Sequence, residues 1–135
     1  MFKVIVAGGR DFNDFPYMVE QLDKLLKNKD NVQIISGTAP GADILGESYA
    51  RTRGLAIKRF PAPWEDIEGR PEKEIGTTRG GKKYWKGAGH FRNEQMAEYG
   101  DALVAFWDGK SGGTKNMIAT AKRHKLLVRK KLYQL

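Results

Sequence analysis

The chain has 135 residues and no cysteine, and it carries 24 Lys and Arg residues against 16 Asp and Glu residues. This length predicts one domain, residues 1–135, and the lack of cysteine excludes disulfides, thiolate metal sites and a cysteine nucleophile. The formal net charge of +8 favours a polyanionic partner such as nucleic acid or a phosphorylated ligand, but it is equally compatible with solubility alone. No apolar run is long enough to span a bilayer and no signal peptide is recognisable, so we expect a cytoplasmic protein without membrane contact.

The first half of the chain alternates between strand and helix patterns. Short apolar or β-branched runs predict strands at Phe2–Ala7, Val32–Ile35 and Leu55–Phe60. A helix with one apolar face begins at Asn13–Pro16 and closes at Asn28–Asn31. A second helix begins near Gly41, and Gly54 is placed to terminate it.

The second half begins with an irregular loop at about residues 61–87, which contains five of the sixteen glycines and several aromatic residues. A segment of this kind is usually either a functional loop or a disordered one, and both alternatives stay open. After it, the pattern predicts a helix at Ala88–Tyr99, a strand at Ala102–Trp107, a helix from about Lys115 to His124 and a last strand at Leu126–Tyr133.

This alternation predicts an α/β, Rossmann-like three-layer fold, with a mainly parallel sheet of about five strands covered by helices on both faces. In such a sheet the strand-to-helix turns lie at the carboxyl edge, where ligands bind. Three of the predicted turns are rich in glycine and hydroxyl groups: Gly8–Asp11, Ser36–Gly41 and Asp108–Thr114. We therefore predict that the three turns form one site for a phosphate or another anion.

The residue types in these turns suggest how a small phosphorylated nucleoside-type ligand would be held. Glycines permit close backbone approach, hydroxyl groups donate hydrogen bonds, and Arg10 and Arg92 grip phosphate unless they form structural ion pairs. Carboxylates contact ribose or, as with Asp43, simply favour a helix start, where Thr114 is also a plausible N-cap. The predicted ligand-binding residues are Gly8, Gly9, Arg10, Asp11, Ser36, Gly37, Thr38, Gly41, Asp43, Arg92, Asn93, Asp108, Ser111, Gly112, Gly113 and Thr114.

Other side chains support fewer conclusions. Aromatic residues that could stack on a base, or belong to the core, are Trp64, Tyr84, Trp85 and Trp107. His90 and His124 are widely spaced and poorly placed for catalysis. With two such histidines and no cysteine, we predict no transition-metal site and no cofactor.

Four motifs resemble the YspA-type members of the SLOG superfamily: G-G-R-D-F, S-G-T-A-P-G-A-D, F-R-N-E-Q-M and W-D-G-K-S-G-G-T. They occur in order over nearly the whole chain. The resemblance implies a Rossmann-like fold that binds nucleotides or their derivatives, and a sensor or sequestering role in conflict between bacteria and phages. It also implies possible assembly into a homodimer or larger homo-oligomer.

Two related branches offer alternative functions. The "lonely guy" phosphoribohydrolases carry P-G-G-x-G-T-x-x-E and an arginine on the preceding helix, for which Arg92 can stand. Here Lys115, Asn116 and Met117 follow the glycine turn, so the catalytic glutamate of that family has no counterpart. If the protein is an N-glycosidic hydrolase of nucleotides, the weak catalytic candidates are Arg92, Glu94 and Asp108.

The second related branch is DprA, which binds single-stranded DNA. The likeness to it is strongest at Ser36–Asp43 and Phe91–Asn93. The basic segment Arg79–Arg92 is compatible with this function, so nucleic acid remains a possible partner.

Overall fold

The computed structural model describes residues 1–134. Within them, the strands and α-helices are β1 (Phe2–Gly8), α1 (Phe15–Leu26), β2 (Val32–Ser36), α2 (Ala42–Arg53), β3 (Ala56–Arg59), β4 (Ile75–Thr77), β5 (Lys83–Trp85), α3 (Ala88–Tyr99), β6 (Ala102–Trp107), α4 (Gly112–Arg123) and β7 (Leu127–Leu132). A short 3₁₀ turn at Glu72–Glu74 precedes β4. None of the helices in this part of the chain combines the length and apolar character needed to cross a bilayer.

Five strands form one sheet in the order β3-β2-β1-β6-β7, and every neighbouring pair is parallel. Alternate residues of β1 point to opposite faces, because side chains alternate along a strand. Val4 and Val6 pack in one core cluster with residues of α1 and α2, whereas Ile5 and Ala7 pack in another with residues of α3 and α4. The predicted α/β fold, with a parallel sheet between two helical layers, is confirmed.

Local signals explain why the first two helices begin and end where they do. The Asp14 side chain accepts a hydrogen bond from the Tyr17 amide at 3.1 Å and so caps the first turn of α1. Met18 and Leu22, four residues apart on this helix, are fully buried. Gly54 has φ +68° and ends α2 in the left-handed conformation, as its position in the sequence predicts.

The fourth helix starts three residues earlier than predicted. The sequence favours a turn through Gly112 and Gly113, but both lie in the first turn of α4, which begins at Gly112. Ser111 occupies the N-cap position, so the prediction that Thr114 is the N-cap is wrong. Thr114 is instead buried inside the first turn.

The loop predicted at about 61–87 contains an antiparallel hairpin, in which Ile75 pairs with Trp85. The Trp85 side chain of β5 is buried, with its ring 5.5 Å from that of Phe91 on α3. The Arg70 guanidinium covers this ring at 3.4 Å from its centre. Within the predicted loop, the structure thus contains a hairpin that packs against α3.

Candidate functional site

The candidate site lies at the carboxyl ends of β1 and β6. These strands are neighbours in the centre of the sheet, but the chain leaves β1 towards β2 and leaves β6 towards β7 on the other side. Such a reversal of strand order opens a crevice between the two outgoing turns. The cavity found here has a volume of about 490 Å³, which is within the usual range for a small-molecule site.

Most of the predicted ligand-binding residues line this cavity. They are Gly8, Gly9, Arg10, Asp11, Asp43, Arg92, Asn93, Asp108, Ser111, Gly113 and Thr114. Five others do not line it: Ser36, Gly37, Thr38, Gly41 and Gly112. Of the weak catalytic candidates, Arg92 and Asp108 line the cavity. Glu94 does not, and its carboxylate is bonded to Arg123 at 2.9 Å and to His124 at 2.8 Å.

Backbone hydrogen bonds join the first two glycine turns into one unit. The Gly9 amide donates to the Phe106 carbonyl on β6 at 3.0 Å, and the Gly9 carbonyl accepts from the Ala42 amide at the start of α2 at 3.1 Å. Gly41 has φ +80° and packs directly on the backbone of Gly9 and Arg10. Gly41 therefore allows the first two glycine turns to pack closely together, although it does not itself line the cavity.

Ser36 supports the second turn from inside the protein. Its side chain is fully buried, donates to Glu47 at 2.7 Å and accepts from the Thr38 amide at 3.0 Å. Burial raises the pKa of Glu47, but the hydrogen bonds from Ser36 and Arg59 outweigh it and leave that pKa lowered. Ser36 thus connects the second glycine turn to Glu47, an ionised glutamate to which the sequence pattern assigns no role.

Arg92 is the most buried cation in the cavity wall, with 9% of its surface exposed. Its guanidinium donates to the Gly37 carbonyl through Nη1 and to Asn93 Oδ1 through Nε at 3.2 Å. Among residues 1–134, it forms no ion pair with a carboxylate within 4.0 Å. The side chain is therefore fixed in orientation by neutral acceptors, and its charge is partly offset by the Asp43 carboxyl in the same wall.

Three helices begin at the cavity: α2, α3 and α4. In the described part of the chain, none of the three has a side-chain hydrogen bond capping its N-terminus. Gly89 and His90 of α3 and Gly113 and Thr114 of α4 line the cavity. The positive ends of these helix dipoles favour an anion here, in addition to the charges of Arg10 and Arg92.

Hydrogen bonds made by the side chains of Trp107 and Asp108 fix the third glycine turn, just before α4. Asp108 Oδ1 accepts hydrogen bonds from the amides of Lys110 and Ser111, each at 2.8 Å. These two bonds lower the pKa of Asp108. Trp107 Nε1 donates to the Ser111 carbonyl at 3.1 Å. Asp108 and Trp107 therefore fix Ser111, the residue before α4, from both sides.

Asn116, which follows this turn, has a structural contact. Its Oδ1 accepts from Asn93 Nδ2 at 2.9 Å. Asn93 in turn accepts from Arg92, so α3 and α4 are connected beside the cavity through these three side chains.

Asp43 is a buried carboxyl in the cavity wall, with 5% of its surface exposed. Burial raises its pKa to about 6, although the charges of Arg92 and Arg10 and a hydrogen bond from the Ala39 amide oppose this rise. Between the ordinary value of 3.8 and about 6, the folded protein binds a proton that the unfolded chain releases. The free energy of unfolding therefore falls as pH rises through this window, and the loss is complete above it.

We expect Asp43→Asn to increase the free energy of unfolding near pH 8 by up to about 3 kcal/mol, because asparagine removes the buried charge. The amide oxygen can still accept from Ala39. Near pH 4 the variant and the wild type should be equally stable. Urea unfolding at both pH values measures the difference, and Asp30→Asn at an exposed position serves as the control. A variant that is less stable than wild type near pH 8 would contradict this account.

Several cavity-lining residues were not predicted as ligand-binding residues. The sequence predicts Trp64 only as a residue that could stack on a base and gives His90 no role, but both line the cavity together with Lys86. Met96 and Met117 form an apolar part of the wall. The position of each methionine in its own helix predicts only that it faces the core. Which residues the hairpin brings to the cavity depends on long-range packing, and no local sequence pattern encodes that packing.

Comparisons with known proteins agree with this fold and its motifs. Residues 2–66 match the model of the YAcAr family, described as the YspA, cpYpsA-related SLOG family. The predicted resemblance to YspA-type SLOG proteins is therefore confirmed over this part of the chain. The search of curated proteins gave no match.

Two solved structures of DNA processing protein A (DprA) share the fold. The structure from Streptococcus pneumoniae aligns over 100% of this chain and 52% of its own, with a TM-score of 0.71 and 18% identity. The structure from Helicobacter pylori, which concerns a single-stranded DNA binding mode, aligns over 99% and 66%, with a TM-score of 0.62 and 18% identity. The chain thus spans about half to two thirds of the length of these DprA chains.

Proposed function

We propose that the protein binds a small phosphorylated nucleoside-type compound, a nucleotide or an ADP-ribose-like derivative, in the cavity at the carboxyl edge of the sheet. The observation that carries this proposal is the convergence of uncapped helix N-termini with Arg92, which is buried without an ion-pair partner among residues 1–134. A phosphate would complete this set of donors. The apolar wall at Met96 and Met117 would suit the base or the sugar.

The family and the shared fold support the same class of ligand. The resemblance to SLOG proteins implies binding of nucleotides or their derivatives, and the match to that family includes the first two glycine turns. In this proposal Arg10 and Arg92 hold phosphate, and Asp11 or Asp108 contacts ribose. Asp11 is already oriented by the Tyr133 hydroxyl, which donates to it at 2.7 Å.

The first test compares phosphorylated ligands with their parent nucleosides. Calorimetric titration with AMP, ADP and ADP-ribose should give measurable affinity, whereas adenosine should bind much more weakly, because it lacks the anion. If no phosphorylated nucleoside binds, or if adenosine binds equally well, the proposal is wrong. Chromatography of the same mixtures for free base detects any N-glycosidic hydrolysis.

A pair of glycine variants separates binding from folding. Gly112 and Gly113 both lie in the first turn of α4, and a methyl group at either would meet no atom within 4 Å. Alanine should therefore preserve or increase stability at both positions, by roughly 0.5–1 kcal/mol. Of these two glycines, Gly113 lines the cavity and Gly112 does not. We expect Gly113→Ala to weaken AMP binding about tenfold, because its methyl group keeps the phosphate from the helix amides.

Gly112→Ala is the matched control for this measurement and should bind AMP as tightly as the wild type. Urea unfolding of both variants shows whether stability is preserved. Equal affinity of the two variants, with both folded, would place the anion elsewhere.

A second candidate function, binding of single-stranded nucleic acid, is favoured by the DprA-like fold and by the basic hairpin. One of the two DprA structures concerns single-stranded DNA binding. Lys82, Lys83 and Lys86 are exposed on or beside the hairpin, and Lys86 lines the main cavity. These charges would follow a phosphate backbone, and binding of this type weakens steeply as salt increases.

A further inference from the structure

A second cavity of about 480 Å³ lies beside the first, over the β4–β5 hairpin. Its wall includes Thr77, Lys82, Lys83 and Tyr84 from the hairpin and Trp64 from the segment before it. Its size alone is within the range of single-ligand sites. The hairpin therefore adds room for a second group next to the site at the sheet edge.

Two residues belong to the walls of both cavities: Arg10 and Trp64. Arg10 is exposed, and no carboxylate of residues 1–134 lies within ion-pair distance of it. Trp64 is 37% exposed, and its ring meets that of Tyr84 edge-on at 6.1 Å. An exposed cation and an exposed aromatic ring at a junction are the groups that bind a phosphate and a base.

The second cavity rests on a firmly packed element. The Trp85 amide of β5 donates to the Trp64 carbonyl at 2.8 Å, which ties the junction to the hairpin. The Tyr84 ring lies directly over Gly76 of β4, where any side chain would collide with it. These contacts fix the backbone at Trp64 and the ring of Tyr84 before a ligand arrives, which lowers the entropy cost of binding.

The charge of the second cavity is positive. Lys82 forms an ion pair with Glu65 at 2.9 Å, so these two charges offset each other. Lys83 and Arg10 have no ion-pair partner among the described residues. The cavity thus combines two uncompensated cations with two aromatic rings, which is the combination that single-stranded nucleotide chains require.

We propose that the ligand consists of two nucleosides joined through phosphate, and that the hairpin holds the second one; this inference rests on the proposed function of the first cavity. The first nucleotide lies at the sheet edge beside Arg92. The linking phosphate passes between Arg10 and Trp64. The second base stacks on Trp64 and Tyr84, and Lys83 neutralises the phosphate attached to the second nucleoside.

Calorimetric titration with AMP and with the 5′-phosphorylated dinucleotide pApA tests this inference. The wild type should bind pApA at least about tenfold more tightly than AMP. The double variant Lys82→Ala/Lys83→Ala should lose that advantage and keep the wild-type affinity for AMP, because neither lysine lines the first cavity. The double variant Lys27→Ala/Lys29→Ala removes the same charge from exposed positions after α1 and should behave as the wild type.

A single-stranded oligonucleotide of about 12 residues distinguishes the two sources of such a ligand. If the ligand is part of a strand, the oligonucleotide binds at least as tightly as pApA, and if it is a free dinucleotide, pApA binds more tightly. The inference is overturned if AMP binds but pApA binds no better, or if the Lys82/Lys83 variant retains the full preference for pApA. If neither AMP nor pApA binds, the proposed function itself fails.

Discussion

Replacing Arg92 with alanine is expected to reduce the affinity for phosphorylated nucleosides about 100-fold, because one buried, charge-assisted contact with phosphate is lost. The side chain is buried in the cavity wall and is oriented by the Gly37 carbonyl and by Asn93. Arg92→Lys should have an intermediate affinity, since lysine keeps the charge but lacks the planar fork that can hold two phosphate oxygens. Calorimetric titration with ADP measures both variants.

The control for Arg92 is Arg123→Ala. Arg123 is an exposed arginine that pairs with Glu94 on the same helix as Arg92, so its loss removes the same charge outside the cavity. Its affinity for ADP should equal that of the wild type. Circular dichroism establishes that each variant is folded. A folded Arg92→Ala protein that binds ADP within about threefold of the wild type would exclude Arg92 as the phosphate ligand.

Gly41→Ala is expected to destabilise the fold by about 4 kcal/mol or more. The backbone at φ +80° and ψ −125° lies in a region that essentially only glycine adopts, which accounts for roughly 1–3 kcal/mol of this. The remainder comes from a collision, because a methyl group at Gly41 would lie 2.6 Å from the backbone carbon of Arg10. The two glycine turns must then separate. Urea unfolding measures the stability, and ligand binding should fall together with it.

Gly54→Ala provides a matched reference for Gly41. Gly54 also has a positive φ, +68°, but a methyl group there would meet no atom within 4 Å. Its replacement should therefore cost only the backbone term, roughly 1–2 kcal/mol. The difference between the two variants measures the close approach of the turns together with the more restricted backbone conformation at Gly41. Equal losses at Gly41 and Gly54 would show that the turns can adjust without strain.

The central strands could be predicted to within about one residue, because buried parallel strands are short apolar runs that end at glycine or polar turns. The start of α4 could not, since Gly112 and Gly113 have low helix propensity. Their helical conformation is imposed from outside, by the hydrogen bonds of Asp108 and Trp107 with Ser111. The hairpin was missed because its strands have three residues each, too few to display an alternating pattern.

The candidate site could be predicted as a set of turns, but not as a set of side chains. The carboxyl edge of a parallel sheet brings strand-to-helix turns together, so Gly9, Asp108 and Gly113 were expected to be neighbours and all line the cavity. Ser36 was expected to face a ligand and is instead fully buried against Glu47. Which hydroxyl groups turn inward depends on such long-range partners, and no periodicity reveals them.

The position of β1 between β2 and β6 has a consequence for how the chain acquires its structure. The Lys3 amide donates to Asp101, 98 residues later, whereas the pairing of β1 with β2 closes a much shorter loop. Such distant pairings form slowly. Without β6, β1 would have an unpaired edge and the apolar face of Ile5 and Ala7 would be uncovered, and exposed edges and faces of this kind favour aggregation. Residues 2–66, which carry the family pattern, therefore depend on the second half of the chain to complete their folding.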